Sequence, residues 1–378
     1  MKPFFALLFF CAVNLYGQKV EYPLQHFSGS YYGVVTLFEY DRYDNSSLSA
    51  SKGWISIFET ASGKEIIKEQ IGDDSTEEDG WGMQVYMELT DGQVQVNTRE
   101  DAFDGFVIYK DLNFDGNKDL SILESVDGSY GWHAYKIYLS NSGNSFVYNK
   151  AFTLVQNNYL GMFDVNTSTK RLIGFTKSGC CYHQDDEYIV EGNQLKMVKR
   201  TYEESYSELF YREVTQTKTG SKIQKNTAIK LYEDAENAKT LYSFVMKDNG
   251  KQVKLISSGE TLYYIFQKKN GEVEFHYPGF VSIKESNSND WEEGGNFVGG
   301  YADEQPFTLQ LSSNSKKLSF ANKSATYTIY ETKDETGSHV GIEVYTGGKK
   351  YNLIGDINTL KGSLNNLKAM PLSNIMVK

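Results

Sequence analysis

Tight-turn sequences divide the C-terminal half of the chain into hairpins, and they constrain its fold more than any other feature. Asn-Gly or Gly-Gly pairs stand within 247–250, 269–271 and 346–348, each between segments in which polar and apolar residues alternate. Both residues of such a pair adopt the positive φ angles of a two-residue hairpin turn at little cost. The flanking segments are rich in Tyr, Phe, Val and Ile, which favour strands. This half of the chain is therefore predicted to be antiparallel β structure.

The N-terminal half shows the same alternation in shorter segments with polar, glycine-bearing connections. A further hairpin is predicted across 190–198, where Gly192-Asn193 separates two alternating segments. The 28 Tyr and 22 Phe, against only 5 Pro, also favour strands. No steady repeat of about 20–50 residues is visible, which argues against a β-propeller. We expect an all-β fold of antiparallel sheets in sandwich or barrel-like form, with one short turn or helix at 235–241.

The N-terminal residues 1–17 carry Lys2 and then the apolar run Phe4–Val13. That run is too short to span a bilayer and fits a secretory signal that is removed after Gly17. A buried N-terminal strand is the alternative. No other segment approaches the about 20 apolar residues of a membrane helix. We therefore expect a mature protein without a membrane span, exported to the periplasm or the medium.

The polar stretch 215–226 lacks large apolar residues apart from Ile223. Its composition predicts a boundary between a first β domain at 18–215 and a second antiparallel β domain at 216–378. A chain of this length is long enough for two domains.

The charge balance is acidic. The formal net charge of −11 becomes −12 when the signal, with its one lysine, is removed. Such a chain should repel nucleic acid and suit a basic partner. One acidic run stands out, and it is either a solvated loop or a binding segment. Its members are Asp73, Asp74, Glu77, Glu78 and Asp79.

Residues 111–119 form the most specific motif, with side-chain oxygens at every second position and a glycine after the third. Calcium takes about six to eight oxygen ligands, and this spacing turns alternate side chains toward one ion. Gly116 permits the sharp turn that such a loop needs. The predicted ligands are Asp111, Asn113, Asp115 and Asp119, with the backbone carbonyl of Asn117.

The loop is shorter than an EF-hand, because its twelfth position is Ile122 rather than Glu. It fits an Asp-x-Asn-x-Asp-Gly-x-x-Asp calcium loop, and it occurs once in the chain. The alternative is an Asp/Asn/Gly turn between strands that needs no metal. A bound calcium ion here would be structural rather than catalytic.

The segment after this loop carries glycines, a serine and aromatic residues between two predicted strands. Aromatic side chains on a constrained loop supply contact area at low entropic cost and are favoured in protein interfaces. The candidate partner-binding residues are Gly128, Ser129, Tyr130 and Trp132. The alternative is that Tyr130 and Trp132 only cover the end of the sheet.

After signal removal the only cysteines are Cys180 and Cys181, which are adjacent. They can form a vicinal disulfide or remain a buried thiol pair, and their number excludes a disulfide framework. With His183 they offer three zinc ligands without a fourth, which is a weak zinc site.

Motifs for catalysis are missing. The sequence has no Gly-x-Ser-x-Gly elbow, no His-Glu-x-x-His pair and no phosphate-binding glycine loop. A glycosidase needs only two carboxylates, so an exported enzyme that acts on glycans stays open.

Residues 104–204 resemble a group of calcium-binding secreted proteins related to the periplasmic inhibitors of invertebrate-type lysozyme. The group includes an immunity protein that protects bacteria from a lysozyme-like secretion effector. The resemblance rests on 111–120, Gly128-Ser129-Tyr130, 170–173, 178–181 and 193–199.

This resemblance implies that Ser129 and Tyr130 lie on a loop that enters the cleft of a lysozyme-like enzyme. The chain departs from the inhibitor pattern at Asp127 and Trp132. The leading hypothesis is therefore an exported calcium-binding β protein that binds a protein partner, with a lysozyme-like hydrolase as the candidate. A non-inhibitory structural or surface-interaction module and a glycan-acting enzyme are the alternatives.

Overall fold

The computed structural model describes residues 19–72, 85–127, 130–141, 145–179, 182–232, 235, 237–281, 300–301 and 305–378. It is nearly all β, with curled antiparallel sheets, which confirms the predicted fold class. The chain divides into two compact units. Unit 1 comprises Met1–Thr201 and Gln216–Gln224, and unit 2 comprises Tyr202–Thr215 and Lys225–Lys378.

The first sheet of unit 1 runs in the order β1-β2-β3-β5-β6, with β4 also paired to β3. Leu24 bridges to Val94, and the N–H of Gln25 donates to the Val94 carbonyl at 2.8 Å. Because Val94 belongs to the last strand and Leu24 follows the first, the sheet curls back toward itself. The strands are β1 (Val20–Pro23), β2 (Tyr31–Arg42), β3 (Ser47–Glu59), β4 (Glu65–Ile71), β5 (Val85–Thr90) and β6 (Gln93–Val94).

The second sheet runs in the order β11-β10-β9-β8-β7, and only the short β7–β8 pair is parallel. Helix α1 (Lys150–Gln156) follows it, with Asn149 as its N-cap, and buries Phe152, Thr153 and Gln156. The strands are β7 (Val96–Asn97), β8 (Val107–Lys110), β9 (Asp119–Asp127), β10 (Trp132–Asn141) and β11 (Ser145–Tyr148).

A third group of strands follows, in which β12, β13 and β14 pair antiparallel in chain order. The predicted hairpin at 190–198 is present, and its turn residues Gly192 and Asn193 have φ of 56° and 61°. The strands are β12 (Asp164–Asn166), β13 (Arg171–Ser178), β14 (Tyr182–Glu191), β15 (Gln194–Ser205), β16 (Phe210–Thr219) and β17 (Lys222–Leu231).

The polar stretch 215–226 lies in β16, β17 and the turn between them. The division between the two units falls inside β15, β16 and β17, and the sequence-based boundary at 215–216 lies within β16. The core of unit 1 is one apolar cluster to which both of its first two sheets and α1 contribute, including Val35, Ile137 and Phe152.

Unit 2 contains a sheet in the order β21-β20-β19-β18-β28-β27-β26-β25-β24-β29 and the pair β22–β23. Only β24–β29 is parallel. A 3₁₀ helix at Leu364–Ala369 buries Leu364 and Leu367 against the sheet core. The first strands are β18 (Ala238–Met246), β19 (Gln252–Ser258), β20 (Thr261–Gln267), β21 (Val273–Tyr277), β22 (Phe280–Val281) and β23 (Gly300–Tyr301). The remaining strands are β24 (Phe307–Leu311), β25 (Ser315–Asn322), β26 (Ala325–Asp334), β27 (Gly337–Thr346), β28 (Lys349–Gly362) and β29 (Ile375–Val377).

The three hairpins predicted from turn sequences are confirmed as the pairs β18–β19, β20–β21 and β27–β28. Gly347 and Gly348, in the last of them, have φ of 56° and 72°. The helix or turn predicted at 235–241 is wrong from Ala238 onward, because Ala238–Leu241 begin β18 and pair with β19. Ladder hydrogen bonds with a neighbouring strand override the helical preference of an alanine-containing segment.

Candidate functional site

The Asp-rich loop connects β8 to β9, and its last acidic residue, Asp119, is also the first residue of β9. Two left-handed residues form its sharp turn, Phe114 with φ of 60° and Gly116 with φ of 89°. A Cβ atom on Gly116 would meet nothing within 4 Å, so glycine is favoured there by backbone conformation and not by crowding.

Side chains of the loop accept hydrogen bonds from the loop's own backbone. Asp111 Oδ2 accepts from the N–H of Gly116 at 2.9 Å, and Asp115 Oδ1 accepts from the N–H of Asn117 at 2.7 Å. Asn113 Oδ1 accepts from the N–H of Asp115 at 3.1 Å, while its Nδ2 donates to Asp115 Oδ2 at 3.1 Å. The first, third and fifth positions of the motif therefore turn toward the loop interior.

Asp119 joins the loop to the sheet from a fully buried position. Its Oδ2 accepts from the N–H of Leu112 at 2.7 Å, and its Oδ1 accepts from the N–H of Ser140 on β10 at 2.8 Å. Burial is the main cause that raises the pKa of the Asp119 carboxyl to about 7. The negative charges of Asp111 and Asp115 also raise this pKa, and the hydrogen bonds from Ser140 and Leu112 lower it. A buried carboxylate beside two others is stabilised by a proton or a cation.

The chemistry of the donor set fits a hard cation, since carboxylate, amide and carbonyl oxygens are the ligands that calcium takes. A carboxylate oxygen that accepts one hydrogen bond retains a second lone pair for an ion. Within the part of the chain that the structure describes, however, no three Asp, Glu, His or Cys side chains are close enough together to hold a metal ion. Calcium binding at Asp111, Asn113, Asp115, Asn117 and Asp119 therefore stays a prediction.

Lys110 is a buried residue beside the loop that sequence reasoning missed. Its ammonium donates to the carbonyls of Ala102 at 2.8 Å and Phe163 at 2.6 Å. Burial lowers the pKa of Lys110 to about 8, although nearby Asp164 and Asp101 raise it. Its only sequence signal is a charge at the end of the apolar strand β8. The contacts hold the start of the loop against the nearby segment before β8 and the distant segment between α1 and β12.

The predicted partner-binding segment lies at the tip of the β9–β10 hairpin. Asp127 pairs with Trp132, and Val126 pairs with His133. Tyr130 is 44% exposed, whereas Trp132 is half-buried. The predicted partner residues Gly128 and Ser129 lie outside the described residues.

Two groups from a second hairpin, β13–β14, hold Tyr130. Its hydroxyl oxygen accepts from the N–H of Gly179 at 2.6 Å. The Lys177 ammonium lies 5.3 Å from the centre of its ring, within cation–π range. Cys180 and Cys181, which follow Gly179, lie outside the described residues, so their pairing stays a prediction.

A buried glutamine supports the base of the β9–β10 hairpin. Gln156 Oε1 accepts from the N–H of Tyr135 at 2.8 Å, and its Nε2 donates to the carbonyls of His133 at 2.7 Å and Gly161 at 3.0 Å. The β9–β10 register shifts between Ala134 and Tyr135, and Gln156 satisfies backbone groups at this bulge. No local pattern in the sequence indicates this contact.

The sequence matches no model of a known protein family and no curated protein. A solved structure from Xanthomonas, described as a Type IV secretion system related protein, is similar at 16% sequence identity with a TM-score of 0.41. The match covers 55% of this chain and 92% of that one. Across the described ranges, no helix is long and apolar enough to cross a membrane.

Proposed function

We propose that this chain is an exported calcium-binding β protein that binds a protein partner through the tip of its β9–β10 hairpin. The observation that carries the proposal is the placement of Tyr130. It is an exposed aromatic side chain, held in place by Gly179 and Lys177, on a hairpin whose first strand begins at Asp119. An anchored aromatic loses little conformational entropy when a partner binds.

Calcium would act on the hairpin through Asp119. The negative charges of Asp111 and Asp115 destabilise the ionised carboxylate of Asp119, and an ion bound by Asp119 would offset that repulsion. Asp119 also accepts the N–H of Ser140 on β10. An ion bound by Asp119 would therefore stabilise the end of β10 as well as the start of β9, which are the two strands that present Tyr130.

The proposed partner is a lysozyme-like glycan hydrolase. The resemblance of residues 104–204 to inhibitors of invertebrate-type lysozyme supports this choice, as does the formal net charge of −11. A cationic hydrolase would be attracted to an acidic surface, and the attraction would weaken with salt.

Inhibition assays test the proposal. Purified protein at micromolar concentration, with calcium, should inhibit at least one of the goose-, chicken- or invertebrate-type lysozymes. Tyr130→Ala should lose inhibition, while Tyr32→Ala should retain it. Tyr32 is a matched control because it is also 44% exposed in unit 1 but stacks on Phe58 in the first sheet. Full activity of all three lysozymes in the presence of wild-type protein would contradict the hydrolase assignment.

A further inference from the structure

A cleft of about 770 Å³ opens in unit 1 at β5 and the segment that joins β6 to β8. Its volume is in the range of small-molecule binding sites, about 300–1,000 Å³. Buried apolar side chains line one part of it, among them Met87, Phe106 and Leu123. Part of the cleft lining is therefore apolar.

The other part of the lining is polar and exposed, because buried and exposed side chains alternate along β5. Tyr86 and Glu88 point outward on this strand, whereas Met87 is buried between them. Tyr86 is 57% exposed, and its ring stacks on Tyr43 with centroids 6.1 Å apart. Tyr86 lines the cleft, and Tyr43 extends this aromatic platform without lining the cleft itself. The Glu88 carboxylate has no hydrogen bond or ion pair with any residue that the structure describes, so it can accept hydrogen bonds from a ligand.

Groups of both charges surround the cleft. Arg99 supplies a guanidinium, which forms an exposed ion pair with Asp101 at 3.6 Å. Asp104 supplies a second carboxylate to the lining, in addition to that of Glu88. The side chain of Asn97 donates to the carbonyl of Asp104 at 3.0 Å, which fixes the polar segment against β7. Neither a strongly anionic nor a strongly cationic ligand matches this mixture of charges.

An extended peptide cannot pair along the full length of β5 as a further strand. Such binding needs a free sheet edge. Here β5 pairs with β3 on one side, and with β6 on the other, where the N–H of Gln95 also donates to the carbonyl of Glu88 at 2.9 Å. The lining side chains are therefore the main groups available for recognition.

We infer that the cleft binds a neutral oligosaccharide, whose ring faces contact the tyrosine platform and apolar side chains while its hydroxyls bond Glu88 and Arg99. A hydroxyl both donates and accepts hydrogen bonds, so a sugar satisfies a carboxylate and a guanidinium at once without adding charge. The inference does not depend on calcium or on a protein partner.

The test is a nuclear magnetic resonance titration of wild-type protein with three neutral trisaccharides: N-acetylchitotriose, cellotriose and maltotriose. At least one should bind saturably and shift the methyl signals of Met87 and Leu123. Glu88→Gln and Tyr86→Ala should each weaken that binding about tenfold, because a hydrogen bond to a charged group or a stacked ring is lost. Asp91→Asn, a charge-matched change in the adjacent β5–β6 turn and outside the cleft, should leave it unchanged.

Three results would overturn the inference: no saturable binding by any of the three sugars, shifts confined to another surface, or equal affinity in all variants. Glu88→Gln conserves the shape of an exposed side chain, so its folding should be intact and its affinity interpretable. Tyr130→Ala should bind the trisaccharide as wild type does. A failure of the hairpin proposal and a failure of this one are therefore distinguishable.

Discussion

The hydroxyl oxygen of Tyr130 accepts a hydrogen bond from the backbone N–H of Gly179 at 2.6 Å, and this contact joins the tips of two hairpins. The two residues are far apart in sequence, and Lys177 on β13 adds a cation–π contact to the same ring. The exposed tyrosine is therefore held at one place on the surface. This arrangement suits a residue that contacts a partner, because little side-chain freedom remains to be lost.

Tyr130→Ala should weaken partner binding by about 2 kcal/mol or more, the range of an interface hot spot. Its free energy of unfolding should fall by only about 1 kcal/mol, since the side chain is exposed and one hydrogen bond is removed. Calorimetric titration with the partner and urea unfolding measure the two effects. Trp132→Ala combined with Tyr130→Ala tests the tip as a whole. Unchanged affinity in this folded double variant would remove the tip from the interface.

Tyr130→Phe separates the contact with Gly179 from the ring itself. The ring and its contact with Lys177 remain, while the Gly179 N–H must bond to water. We expect partner affinity to fall by about 1 kcal/mol, the net value of one hydrogen bond. Surface plasmon resonance on wild type, Tyr130→Phe and Tyr130→Ala should rank them in that order. A Phe variant as weak as the Ala variant would show that the hydroxyl contacts the partner directly.

Calcium should stabilise the protein by mass action. At free calcium one hundred times the dissociation constant, the free energy of unfolding should rise by about 2.7 kcal/mol. Chelation should lower the melting temperature, and Asp115→Ala should abolish the difference. Asp91→Asn, which alters an acid outside the loop, should keep it. Identical melting curves for wild type with calcium and with chelator would contradict the predicted site.

Gln156→Leu should destabilise unit 1 by at least about 2 kcal/mol. The change leaves the N–H of Tyr135 and the carbonyls of His133 and Gly161 without their buried partner. Gln70→Leu, at an exposed position of β4, is the control and should change the unfolding free energy little. Denaturant unfolding of both variants measures the difference. Equal unfolding free energies for Gln156→Leu and Gln70→Leu would mean that the bulge in β10 does not depend on Gln156.

Stability should depend on pH through His276 in unit 2. Burial lowers the pKa of His276 below its ordinary value of 6.5, and its ring stacks on Phe210 at 4.7 Å. The unfolded chain then binds the proton more readily than the folded one, so stability falls as pH decreases below about 6.5. The free energy of unfolding, measured with urea across this pH range, should change less steeply with pH for His276→Asn than for wild type. The same pH dependence in both proteins would exclude His276 as its source.

The elements that sequence predicted well depend on local backbone chemistry. Gly192-Asn193 and Gly347-Gly348 form turns because their residues adopt positive φ, which is a property of the residues themselves. The position of the Asp-rich loop between two strands was likewise visible, since Asp111 follows an apolar segment and Leu120 begins the next. Whether calcium occupies the loop stays a prediction.

The contacts that sequence could not predict connect distant positions. Lys110 bonds the carbonyl of Phe163, Gln156 bonds groups of β10, and Tyr130 bonds Gly179. Apart from the apolar strand that precedes Lys110, nothing local distinguishes these residues from ordinary surface lysine, glutamine or tyrosine. The seven residues of α1 also give too few turns to show a helical period.

The strands in the stretch 215–226, where a domain boundary was predicted, were missed for a related reason. Lys222–Thr227 in β17 are exposed, so neither face of the strand requires apolar residues. The strand consequently lacks the alternation by which strands are recognised. Polar composition alone therefore did not distinguish an exposed strand from a connecting segment.

The most direct test of the central claim is amide hydrogen exchange of β9 and β10 with saturating calcium and with chelator. The claim is that an ion in the Asp-rich loop stabilises the hairpin that presents Tyr130. Calcium should slow exchange at Leu112 and Ser140, whose N–H groups donate to Asp119, and at the pairs nearest the tip. Asp115→Ala should exchange at the chelated rate in both conditions. Exchange rates in β9 and β10 that do not change with calcium would contradict the account.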